Sequence, residues 1–89
     1  MTDKSNEEKT LIGKVANYFN RLNVVAIELT GPLKVGDTIS IEGATTSFKQ
    51  TVESMQVQNK SIEEAAAGDE IGIKVEEKAR EGDKVYIIT

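Results

Sequence analysis

Three copies of one six-residue pattern constrain this chain more than any other feature: Gly36 to Ile41 reads GDTISI, Gly68 to Ile73 reads GDEIGI and Gly82 to Ile87 reads GDKVYI. Glycine reaches positive φ without steric cost, and aspartate accepts hydrogen bonds from nearby backbone amides. Apolar residues at alternate positions then follow the period of a half-buried strand. Each copy predicts a turn that launches a β-strand, with Gly36, Asp37, Gly68, Asp69, Gly82 and Asp83 as the structural turn residues. The copies lie 32 and 14 residues apart, and such unequal spacings exclude a solenoid repeat.

The remaining apolar runs are strand-like as well. Leu11 to Phe19 and Leu22 to Leu29 are rich in valine, isoleucine and aromatics, and Asn20 and Arg21 between them predict a tight connection. In Phe48 to Val57, Phe48 and Val52 share one parity while Met55 and Val57 share the other, which predicts a β-bulge near Glu53 to Met55. Ser61 and Glu64 match a capping box and Gly68 stands where a helix would stop, so a single helical turn or an ordered loop is expected there. Gly13, Gly43 and Gly72 are candidates for bends or close backbone approach.

Residues 1–9 are polar, charged and without periodicity, and read as a flexible tail ahead of a single domain at 10–89. About six strands joined by short turns predict an all-β domain. In so short a chain, a small closed antiparallel β-barrel is the expected way to remove exposed edges.

Much chemistry is excluded at this stage. The 89 residues contain no cysteine and no histidine, which removes thiolate and imidazole ligands and the usual acid-base group near neutral pH. The stretch GPLKVGDT, Gly31 to Thr38, lacks only the lysine of a P-loop, but Asp37 occupies that place and the turn leads into a strand rather than a helix. The pairs Glu63-Glu64, Asp69-Glu70 and Glu76-Glu77 alternate in direction on strands and read as solvated surface. The chain is therefore read as non-enzymatic, with no cofactor, metal or nucleotide. The polar start of the sequence and the lack of an apolar run of spanning length lead to the expectation of no signal peptide, no membrane role and a cytoplasmic location.

The net charge of −4 lies wholly in the second half: residues 1–52 carry six acids and six bases, and residues 53–89 carry nine acids and five bases. Two features could serve binding. Tyr18 and Phe19 beside Arg21, with Lys14, Lys34, Lys49 and Phe48 elsewhere, interleave aromatics and cations as single-strand binders do. The preferred alternative puts Phe19 and Phe48 in the core, with Tyr18 covering an edge. The other feature is TVESMQVQ, where Glu53, Met55 and Gln56 surround the predicted bulge, although the preferred alternative has Met55 fill an irregular part of the core.

With these pieces laid out, GPLKVGDTISI, TVESMQ, SIEEAAAGDEIGIKV and REGDKVY together resemble the β-barrel second domain of translational GTPases such as elongation factor Tu and initiation factor two. They resemble still more the small stand-alone translation elongation factor-like proteins. Related barrels also occur at the C-terminus of collagenase-like peptidases. The resemblance implies a stand-alone module that binds a protein or ribonucleoprotein partner linked to translation, without the GTPase domain. It carries Glu53 over as a contact to tRNA ends, while Gln56 stands where that family has an arginine. The alternatives are direct binding of RNA ends through Glu53, Met55, Gln56, Tyr18 and Arg21, or service as an accessory subunit of a peptidase or other enzyme.

Overall fold

The computed structural model describes residues 8–88. The expected flexible tail falls mostly on residues 1–7, outside the described residues; strand β1 begins at Lys9. The strands are β1 (Lys9–Phe19), β2 (Val24–Leu29), β3 (Leu33–Lys34), β4 (Thr38–Glu42), β5 (Ser47–Thr51), β6 (Met55–Val57), β7 (Lys60–Ile62), β8 (Glu64–Ala65), β9 (Glu70–Lys74) and β10 (Lys84–Ile88). The domain is all-β, and among the described residues there is no helix.

The three Gly-Asp turns are built alike. Gly36, Gly68 and Gly82 have φ of 100°, 96° and 93°. The following aspartate amide donates to the carbonyl three residues back: Asp37 to Lys34, Asp69 to Ala66 and Asp83 to Arg80, at 3.0–3.1 Å. Its carboxylate then accepts the amide of that same residue, at 3.0 Å from Lys34, 2.9 Å from Ala66 and 2.8 Å from Arg80. One aspartate thus closes the turn from both sides, and only glycine takes the positive φ in its third position without strain.

Eight strands form one sheet in the order β5-β4-β10-β1-β2-β9-β6-β7, and β3 pairs with β8 in a separate two-stranded sheet. All ladders are antiparallel. The expected closed barrel is not formed: no ladder joins the two ends of this order. The reason lies between Val52 and Ser54. Strands β5 and β6 are successive parts of one run, yet β5 pairs with β4 and β6 pairs with β9. The chain leaves one partner before it meets the other, and Val52 is held in the gap by hydrogen bonds with the Gly36 amide and the Asp37 carbonyl, at 2.9 and 2.8 Å. The Gln50 side chain spans the seam instead, donating to the Lys74 carbonyl and accepting from the Glu76 amide, each at 2.9 Å.

The same break corrects the bulge expected near Glu53. The phase switch is real, with Val52 and Met55 both fully buried, but it arises from a change of partner strand. Bulges occur instead in β1, where the register shifts between Leu11 and Gly13 against β10 and between Val15 and Asn17 against β2. At the first shift, a side chain on Gly13 would press within 2.8 Å of the Glu28 carbonyl oxygen. The helical turn or ordered loop expected after Ser61 is replaced by two short strands, β7 and β8. Lys60–Ile62 returns against β6 through a two-residue turn, Gln58 and Asn59, both at positive φ. The hairpin sets half-buried Ile62 opposite buried Met55, and the pairing of Leu33 with Ala65 then captures the next residues as β8. Tertiary pairing overrides the local capping signal.

The core holds Val15, Val25, Ile27, Ile39, Ile41, Met55, Ile71, Ile73 and Val85, all at 2% exposure or less. They come from the inward parity of the long strands, so each outward residue is fixed by the same alternation.

Candidate functional site

An open groove of about 640 Å³ lies on the outer face of β2, β9 and β6. Its floor is low because small residues meet there: Ala26 stands opposite Gly72, and Gly72 opposite Gln56. One end is walled by Phe19 and Leu22 of the β1–β2 connection, with Val24 beside them. Phe19 is 44% exposed and Leu22 63%, so two of the four large apolar side chains exposed among the described residues stand at this groove. This corrects the expectation that Phe19 is core: it lies opposite Val24, on the outer parity, because the second bulge of β1 shifts the face that its end presents.

The charges are ordered along the groove. Asp69 and Glu70 line one end, and Glu28 of β2 stands just beyond the lining, directly opposite Glu70. At the other, Lys74 shares a contiguous recess with Leu22, Val24, Gln56 and Gly72. Lys14 is opposite Glu28 on the neighbouring strand, but no ion pair to Glu28, Glu70 or Lys74 forms among the described residues.

A second polar cluster lies across the sheet. Lys9 Nζ bonds Glu42 Oε2 at 2.7 Å and Oε1 at 2.9 Å, and also sits 5.0 Å from the Tyr86 ring centre. The Ser40 hydroxyl donates to Glu42 Oε2 at 2.8 Å. The Lys9 hydrogen bond, and then that of Ser40, hold the Glu42 carboxyl below its ordinary value of 4.5.

The sequence-predicted site residues are dispersed by this architecture. Gln56 is exposed and lines the groove. Glu53 is exposed in the β5–β6 break, lining a smaller recess with Gln50, Ser54 and Lys74. Met55 points inward and is fully buried, Tyr18 packs half-buried against the core, and Arg21 is exposed in the β1–β2 connection without lining the groove. Leu22, Ala26, Glu28, Glu70 and Lys74 were not singled out from the sequence as binding residues. The available signal was the outward parity of β2 and β9, on which Val24, Ala26 and Glu28 face Lys74, Gly72 and Glu70. Among the described residues no group of three or more metal-ligating side chains comes together, and no helix is long and apolar enough to cross a membrane.

No family model matches the chain. It is 42% identical over 85 residues to an uncharacterized protease, MJ0090, of Methanocaldococcus jannaschii, covering 94% of this chain and 21% of that protein. It is also 42% identical over 81 residues to a collagenase of Porphyromonas gingivalis, covering 89% of this chain and 22% of the collagenase. The chain thus spans about a fifth of the length of the curated relatives it matches. Among solved structures, it superposes on the C-terminal domain of a Geobacillus thermoleovorans protein described as a U32 peptidase with a TM-score of 0.82, at 14% identity over 98% of both chains. A selenomethionine form of that domain gives 0.81 at 15% identity, over 85% of this chain and 96% of that one.

These findings overturn the expected translation elongation factor-like identity. The Gly-Asp turns that carried the resemblance close on their own backbone atoms, so they report how strands are launched and not which family launches them. The chain has the fold of the U32 peptidase C-terminal domain, and in sequence it is similar to a fifth-length segment of proteins named as a protease and a collagenase.

Proposed function

We propose that this chain is a non-catalytic module serving a peptidase, a binding surface whose bond-breaking partner groups lie outside residues 8–88. The observation that carries this reading is the 42% identity to segments making up about a fifth of the protease and collagenase relatives. A segment without histidine or cysteine, folded around one hydrophobic core, is suited to holding and positioning. The outer groove, with its uncovered Phe19 and Leu22, supplies the surface.

The test is a segment exchange in the Porphyromonas gingivalis collagenase, assayed on denatured collagen. Deleting the matching segment is expected to raise KM, and replacing it with this chain to restore KM while kcat stays near that of the intact collagenase. The chain alone should hydrolyse nothing. Hydrolysis by the isolated chain, or an exchange as defective as the deletion, would overturn the reading.

A further inference from the structure

We infer that the groove on β2, β9 and β6 binds an extended polypeptide segment, with an apolar side chain lying over Ala26 and Gly72, a cationic side chain two residues to one side at Glu28 and Glu70 and an anionic one two residues to the other at Lys74. The inference names the partner of the proposed module, and rests on that function for choosing a polypeptide over another amphiphile of the same charge order.

Three features of the surface point this way. First, the floor is apolar and low, since Ala26 and Gly72 stand side by side on neighbouring strands and leave room between Phe19 and Leu22 on one side and the β6–β7 turn on the other. Second, Glu28 and Glu70 occupy directly opposed positions on adjacent strands, where like charges repel. Lys14 of β1 stands opposite Glu28 but is bonded to neither carboxylate, so a cation from outside gains from both. Third, Lys74 lies on the same parity of β9 as Glu70, four residues on, which places the two ends about 13 Å apart at ~3.3 Å per residue. That span is the distance between the first and fifth residues of an extended peptide, whose first, third and fifth side chains share one face. A nucleic acid strand fits poorly, because its phosphates would have to lie against the carboxylate end.

The test is a titration of the isotope-labelled full chain with capped Lys-Ser-Leu-Ser-Glu, followed by amide resonances. Saturable shifts are expected at Ala26, Gly72, Gln56 and Glu70, with Kd in the millimolar range or tighter, as a few contacts on an open surface allow. Capped Glu-Ser-Leu-Ser-Glu and Lys-Ser-Leu-Ser-Lys should each bind about three- to fivefold more weakly, the loss of one exposed ion pair. Lys74→Glu should reverse the preference, making Lys-Ser-Leu-Ser-Lys the best of the three. Glu70→Lys should weaken Lys-Ser-Leu-Ser-Glu while raising the Tm, a combination that a purely structural carboxylate would not give. Shifts scattered outside the groove, equal affinity for all three peptides, or tighter binding of a short single-stranded RNA at the same amides would each overturn the inference. Because the titration uses this chain alone, its failure is distinct from a failure of the segment exchange, which judges the accessory role.

Discussion

Two patches on the outer face of one sheet are built in opposite ways. On β1, β4 and β10, Lys9, Glu42, Ser40 and Tyr86 satisfy one another, and the neighbouring loop is so tight that a side chain on Gly43 would land on Asp83 Oδ1. On β2, β9 and β6, Glu28 faces Glu70 without a cation bonded to either, Phe19 and Leu22 are uncovered, and the floor is made of alanine and glycine. The first patch is complete within the chain. The second carries local conflicts of charge and exposure that a partner would resolve, which is where departures from internal consistency are expected in a natural protein.

The sharpest break of this comparison is between two glycines. Gly43→Ala is expected to lower stability by about 1–3 kcal/mol, because the new methyl displaces the Asp83 carboxylate that accepts the Arg80 amide and closes the last turn. The loss should appear as a lower urea midpoint at unchanged slope. Gly72→Ala should do the reverse. Its methyl would meet only the Val24 side chain at 3.5 Å and the Gln56 carbonyl at 3.9 Å, so a gain of up to about 0.5–1 kcal/mol is expected from relief of glycine's backbone entropy. The same methyl fills the groove floor, so peptide shifts should weaken as stability rises. Equal tolerance at both positions would erase the distinction between a crowded patch and an open one.

Smaller effects sharpen it. Glu70→Lys is expected to stabilise the fold by roughly 0.2–1 kcal/mol by turning a like-charge pair into an opposite one. The gain should shrink in high salt, since both side chains are exposed. Glu42→Gln acts on the completed patch and should cost less than about 1 kcal/mol, the range of a surface ion pair. Its clearer signature is in pH. A carboxyl held below 4.5 when folded binds fewer protons than in the unfolded chain, so its stabilisation is full above 4.5 and is lost as pH falls through the folded value. The difference between wild type and Glu42→Gln in the urea midpoint should therefore narrow below pH 4.5 and stay flat above it.

Where reasoning from the sequence succeeded, it relied on interactions that span four residues or fewer. Positive φ at Gly36, Gly68 and Gly82, and the return of Asp37, Asp69 and Asp83 onto their own turns, follow from glycine and aspartate chemistry alone. The change of phase between Val52 and Met55 was legible for the same reason, as a count of parity. Its cause was not, because a bulge and a change of partner strand leave the same mark on one chain. Phe19 was misplaced by one parity because the bulge in β1 depends on the register with β2. The capping signal at Ser61 was overridden by the β6–β7 hairpin, which pairs Ser61 with Gln56, and by the pairing of Ala65 with Leu33, which is far from it in sequence.

The sequence by itself determined the turns and the inward and outward parity of β2, β4, β9 and β10, and hence most of the core. Only the tertiary structure decided which strands became neighbours, and with that everything lateral on the surface. Ala26 beside Gly72, Glu28 against Glu70, and the seam bridged by Gln50 are juxtapositions across strands. They follow from register, which is settled by packing the whole core at once and leaves no local trace in any one segment.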